Sequence, residues 1–120
     1  MRTLGVLAVS ALFSLLLSAS PAQDPVKVDA KHYKVVFENS QVRVLKITYA
    51  PGEKSVMHEH PDSVAVFLTD ETVKFTTPDG KTEQASGKAG DAIWTAAGKH
   101  LPQNVSTKPL ELILVELKKK

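Results

Sequence analysis

Residues 42–60 read VRVLKITYAPGEKSVMHEH. The first eight, Val42 to Tyr49, are rich in β-branched and aromatic side chains and half alternate, which predicts a strand. Pro51-Gly52 ends it as a turn pair. Val56 to His60 resumes strand-like sequence and carries two histidines separated by one residue. Side chains alternate faces along a strand, so His58 and His60 share one face while Met57 and Glu59 take the other.

The same rhythm extends in both directions. Upstream, Tyr33 to Glu38 precedes a turn at Asn39-Ser40. Downstream, Pro61-Asp62 interrupts, and Val64 to Thr69 is apolar at its centre, which predicts burial on both faces. Asp70-Glu71 turns the chain into Thr72 to Thr77, and Pro78-Asp79-Gly80 is a hairpin turn leading to Lys81 to Ala85. A loop at Gly87, Gly90 and Asp91, a short strand Ala92 to Thr95, and a turn at Ala97-Gly98 follow. His100 to Val105 and Leu110 to Leu117 close the chain before a lysine tail. No helical period outlasts a turn or two. About nine short strands in this length predict an all-β sandwich or barrel. Asp24 to Lys31 is polar and reads as part of an extended N-terminal arm, residues 23–31, with the barrel over residues 32–120.

Ahead of the arm, Leu4 to Leu17 is an uncharged apolar run preceded by Arg2 and followed by Ser18-Ala19-Ser20-Pro21-Ala22. A positive start, an apolar centre and small residues before a cut describe a secretory signal peptide over residues 1–22, cleaved between Ala22 and Gln23. The competing reading, a membrane anchor, needs about 20 apolar residues, and this run is short for it. The expected mature chain, residues 23–120, is secreted or periplasmic, free of the membrane, and carries a formal charge of +1 against +2 for the 120-residue sequence. Such a balance offers no ground for nucleic-acid binding. With no cysteine, disulfides, thiolate metal sites and cysteine nucleophiles are excluded, so any metal must rest on histidine and oxygen ligands.

The paired imidazoles of His58 and His60 are half of such a site. Gly52 stands six residues before His58, giving G-x5-H-x-H, and further along come Gly90, Gly98, His100 and Asn104. Together these resemble the two motifs of the cupin superfamily, G-x5-H-x-H-x(3,4)-E-x6-G and G-x5-P-x-G-x2-H-x3-N, over nearly the whole mature chain. The resemblance implies a small double-stranded β-helix, or jelly-roll, barrel holding a divalent transition metal on His58, His60 and His100. Iron, manganese, nickel, copper and zinc all suit nitrogen ligands. Departures from the motifs are specific. The glutamate position falls on Val64 or Ala65, the first motif's final glycine on Glu71 or Thr72, and the second motif's proline on Ala96. One residue is missing between Gly98 and His100. Three neutral ligands leave the metal's double charge uncompensated and its remaining positions open. A barrel that has lost its metal and kept a polar pocket is the alternative.

Further pocket candidates are Gln103, a fourth ligand if a bulge at Pro102 reverses its parity, Asp62, either an acceptor behind a histidine or a turn residue, and Trp94, a pocket wall or core residue. Val44, Ile47 and Val66 are expected to shield the site with Trp94. Glu59 is expected in solvent, Met57 and Phe67 in the core, and His32 exposed beside the arm. The resemblance implies a small-molecule ligand and either a metal-dependent dioxygenase similar to quercetinase-type cupins or a non-catalytic binding module. Dimerisation through the arm or an edge strand is a further expectation. No nucleophile motif, phosphate loop or zinc-protease spacing is present.

Overall fold

The computed structural model describes residues 23–120. The expected signal peptide therefore lies outside the described residues. Nine strands follow one helical turn: β1 (Tyr33–Glu38), β2 (Val42–Tyr49), β3 (His58–His60), β4 (Ser63–Phe67), β5 (Glu71–Thr76), β6 (Thr82–Gly87), β7 (Ala92–Thr95), β8 (Gly98–Asn104) and β9 (Leu110–Leu117). They form a five-stranded sheet ordered β1-β2-β9-β4-β7 and a four-stranded sheet ordered β3-β8-β5-β6, all antiparallel. This is the double-stranded β-helix expected from the sequence. The two sheets enclose a cavity of about 650 Å3.

Strand parity decides what faces that cavity. In β2, Leu45, Ile47 and Tyr49 are buried, and in β9 Leu110 and Leu114 are buried on the same face as Glu116. β4 buries Ser63, Ala65 and Phe67 while Val64 and Val66 remain half-buried. The expectation of burial on both faces fails there because β4 lies inside one sheet and only one of its faces meets the other. Val44 and Val66 therefore sit on outer faces, and only Ile47 of the expected aliphatic shield lines the lumen. Trp94 is likewise corrected: it is 58% exposed on the outer face of β7, whose lumen-facing residues are Ile93 and Thr95.

The arm is not extended throughout. Pro25–Val28 forms one helical turn because Asp24 caps it, its carboxylate accepting from Val26 N at 3.1 Å, and Pro25 presets the first helical φ. Gly87 has a packing role. A Cβ there would overlap Cε2 and Cδ2 of the Phe67 ring, so the absent side chain makes room for that ring.

Candidate metal centre

β3 and β8 pair with His58 directly opposite His100 and His60 opposite Gly98. Cross-strand partners on one face stand within side-chain contact, so the pairing brings all three imidazoles together. One ligand nitrogen from each of His58, His60 and His100 lies within 4.8 Å of the others. The rings meet edge to face, with centroids 4.8 Å apart for His58–His60, 4.9 Å for His58–His100 and 5.3 Å for His60–His100. His58 is fully buried and His60 nearly so. Phe75 from β5 stacks on His100 at 5.0 Å.

The donor chemistry fits a metal. His58 Nδ1 faces the carbonyl of Val56 at 2.8 Å, which can only accept, so Nδ1 carries the proton and Nε2 keeps its lone pair. His60 Nδ1 donates to Glu116 Oε2 at 2.7 Å, again leaving Nε2 free. Burial holds the His58 pKa down to about 4, helped by the neighbouring His60, and burial with the other two rings holds His100 down to about 3. Both are neutral at pH 7, the form that ligates.

Two polar chains support these rings, and both begin in the segment before β1. In the first, Glu116, 3% exposed, also accepts from Arg43 Nε at 2.7 Å, and Arg43 forks onto Asp24 at 2.9 and 3.0 Å. Arg43 and Glu116 are direct partners across β2 and β9. Burial raises the Glu116 pKa, but the hydrogen bonds from His60 and Arg43 outweigh it and the carboxyl stays below its usual range. In the second, Ser55 Oγ donates to Asp29 and lies 3.2 Å from His58 Nδ1. Asp29 also meets His32 Nδ1, while His32 Nε2 meets Glu53 at 3.1 Å and the ring stacks on Tyr49 at 4.2 Å. His32 is therefore buried, not exposed as expected, because Tyr49 and two carboxylates cover it. On the lumen side, Tyr33 Oη lies 2.7 Å from Tyr49 Oη and 3.1 Å from His58 Nε2. Burial pushes the pKa of both tyrosines up, so both hydroxyls keep their protons.

The remaining candidates lie elsewhere. Gln103 faces away from the lumen and donates to the Gly52 carbonyl at 3.1 Å, since β8 runs past Pro102 in unbroken register with β5. Asp62 acts as the turn residue, accepting from Ala97 N at 2.8 Å, and the carboxylate behind a histidine is Glu116 instead. Glu59 is exposed, as its parity requires, and Met57 is half-buried. Sequence reading missed Glu116, Arg43, Tyr33 and Ser55. Parity offered a signal for the first two, because Glu116 falls in step with Leu110, Leu112 and Leu114, and Arg43 in step with Leu45 and Ile47.

No family model and no curated protein matches the chain. Solved structures do. A cupin domain from Bordetella pertussis Tohama I superposes with a TM-score of 0.67 at 25% identity, covering 72% of this chain and 92% of that one. An RmlC-like cupin with a double-stranded β-helix fold from Methanocaldococcus jannaschii gives 0.58 at 18% identity, over 71% and 77% of the two chains. A cupin superfamily protein from Desulfitobacterium hafniense gives 0.55 at 15%, over 72% and 76%. With its two antiparallel sheets, the spacing of Gly52, His58 and His60, and His100 set across from His58, the chain belongs to the cupin superfamily.

Proposed function

We propose that this is an exported cupin that holds a divalent transition metal on His58, His60 and His100 and acts as a dioxygenase-like enzyme on a small molecule in the lumen. The observation that carries the metal site is the convergence of three imidazoles, with Nδ1 of His58 and of His60 held by fixed acceptors so that their Nε2 atoms are the ligating nitrogens. Export rests on the sequence of residues 1–22 alone. When bound, such a metal supplies Lewis acidity and, if redox-active, a centre for oxygen chemistry. The chain's own contribution is to fix the ring orientations through Glu116 and Val56, to cover His100 with Phe75, and to hold a protonated hydroxyl, that of Tyr33, at the edge of the triad.

A second reading, a non-catalytic binding module, is favoured by one fact. Glu116 is the carboxylate nearest the triad among the described hydrogen bonds, and both its oxygens are engaged by His60 and Arg43, so it is not free to move a substrate proton. Metal analysis of the purified protein tests the site. About one metal per chain is expected, falling to background in a His58→Ala, His60→Ala double variant. No metal in the wild type, or equal metal in both proteins, would refute it. Oxygen consumption across flavonoid, diketone and thiol substrates then separates enzyme from binder.

A further inference from the structure

The lumen has a second polar end. Glu71 opens β5 on the same face as Val73 and Phe75 and lines the cavity. It lies four residues before Phe75, about 13 Å of strand from the ring that covers His100. The residue is 8% exposed, and its Oε2 is buried with no hydrogen-bond partner among the described residues. The strand opposite offers none, since Glu71 pairs with Gly87 of β6. Phe67, Leu110 and Leu112 supply only apolar wall at this end. On the outer side, a recess of about 380 Å3 touches Glu71 and includes Lys88 and Lys108. Lys88 lies 4.0 Å from Asp70 instead. Burial is the cause that pushes the Glu71 pKa up to about 7.

A buried carboxyl oxygen without a donor is costly, and buried polar groups nearly always find partners. The cavity's apolar side chains include Ile47, Ala65, Val73, Phe75, Leu112 and Leu114, and the buried amide of Asn104, which also lines it, is already bonded to the carbonyls of Tyr49, Ala50 and Lys108 and to Ser106. We infer that Glu71 is the far anchor for the ligand of the lumen, a small and mostly apolar molecule carrying a hydroxyl or amine donor at the end remote from His100. The inference deepens the proposed function and rests on the cavity being the ligand site, but it does not require that a metal be bound.

Calorimetric titration with phenylbutanol, phenylbutylamine, phenylbutyrate and butylbenzene tests it. These share a body and differ in the terminal group. For the wild-type protein, the alcohol or the amine should bind about tenfold or more tightly than the hydrocarbon, and the carboxylate should bind more weakly than both. The tighter of the two identifies the donor. Glu71→Leu should erase the preference while keeping butylbenzene binding and the metal content of the wild type. Glu71→Gln, which keeps an acceptor without the charge, should retain the alcohol preference and weaken that for the amine. The preference should persist after chelator treatment and in the His58→Ala, His60→Ala variant, so loss of the metal reading and loss of this one are separately visible. Equal affinities for all four probes, no binding by any, or a preference that survives Glu71→Leu would overturn the inference.

Discussion

Glu116→Gln isolates what the carboxylate behind His60 does. The carboxylate accepts two charge-assisted bonds, from His60 Nδ1 at 2.7 Å and from Arg43 Nε at 2.7 Å. An amide of the same shape has one oxygen and one NH2, so it can accept from only one of them. If the oxygen serves Arg43, the NH2 faces His60, whose Nδ1 must then become the acceptor. The ring proton moves to Nε2 and blocks the nitrogen that faces the other histidines. If the oxygen serves His60, the NH2 opposes Arg43, which keeps Asp24 but loses a buried partner. Loss of a partner behind a ligating histidine typically costs 10- to 100-fold in metal affinity, or about 1.4–2.7 kcal/mol. Competition between the protein and a chromophoric chelator for zinc measures this directly. Zinc affinity in Glu116→Gln within twofold of wild type, with the fold intact by circular dichroism, would show that Glu116 does not set the His60 tautomer.

Three other outcomes follow from the same geometry. Gly87→Ala drives a Cβ into the Phe67 ring and should destabilise by roughly 1–3 kcal/mol, read from the denaturant midpoint; a change below about 0.5 kcal/mol, the range of neutral surface substitutions, would mean the ring moves freely aside. Tyr33→Phe removes a hydroxyl that contacts Tyr49 and His58 Nε2, so stability should fall by about 1 kcal/mol while zinc affinity holds or rises; a tenfold weaker affinity would make the hydroxyl a necessary part of the site. Burial lifts the Glu71 carboxyl from its ordinary pKa of 4.5 to about 7, so the native state holds its proton more tightly than the unfolded chain. Its favourable contribution is full below pH 4.5 and is lost as pH rises through 7, a fall of about 3 kcal/mol. The depressed His58 and His100 act in the opposite direction, losing stability as pH falls below the ordinary histidine range. The difference in unfolding free energy between wild type and Glu71→Gln, followed from pH 4.5 to pH 8 in urea, isolates the Glu71 part, and a flat difference would contradict it.

All nine strands were legible because each is bounded by turn residues whose preference is local. The ends were less so. β3 begins at His58, not Val56, because Val56 and Met57 precede the stretch that pairs with β8. The helical turn Pro25–Val28 is too short for periodicity to register, though Asp24-Pro25 is itself a helix-start signal. The histidine triad was legible from spacing, since H-x-H fixes two rings on one face and the second motif supplies the third. His32 was not, because its burial depends on Tyr49 and Glu53, which lie beyond the reach of any local pattern. Gln103 behaved as its parity dictated once the register proved unbroken at Pro102.

The absent motif glutamate, whose place falls on Val64 or Ala65, leaves three neutral ligands and an uncompensated double charge on any metal held there. The charge behind the ligands alters that balance. Asp24, Arg43 and Glu116 form a minus-plus-minus row ending at His60 Nδ1, with one net negative charge directed at the ring. A second carboxylate, Asp29, stands behind Ser55 and His58. A carboxylate placed behind an imidazole raises its basicity without occupying a ligand position, so the site gains negative charge while keeping its open face toward the lumen. Asp24 and Asp29 both come from the segment ahead of β1, so that segment belongs to the electrostatics of the histidine triad as much as to the barrel's packing.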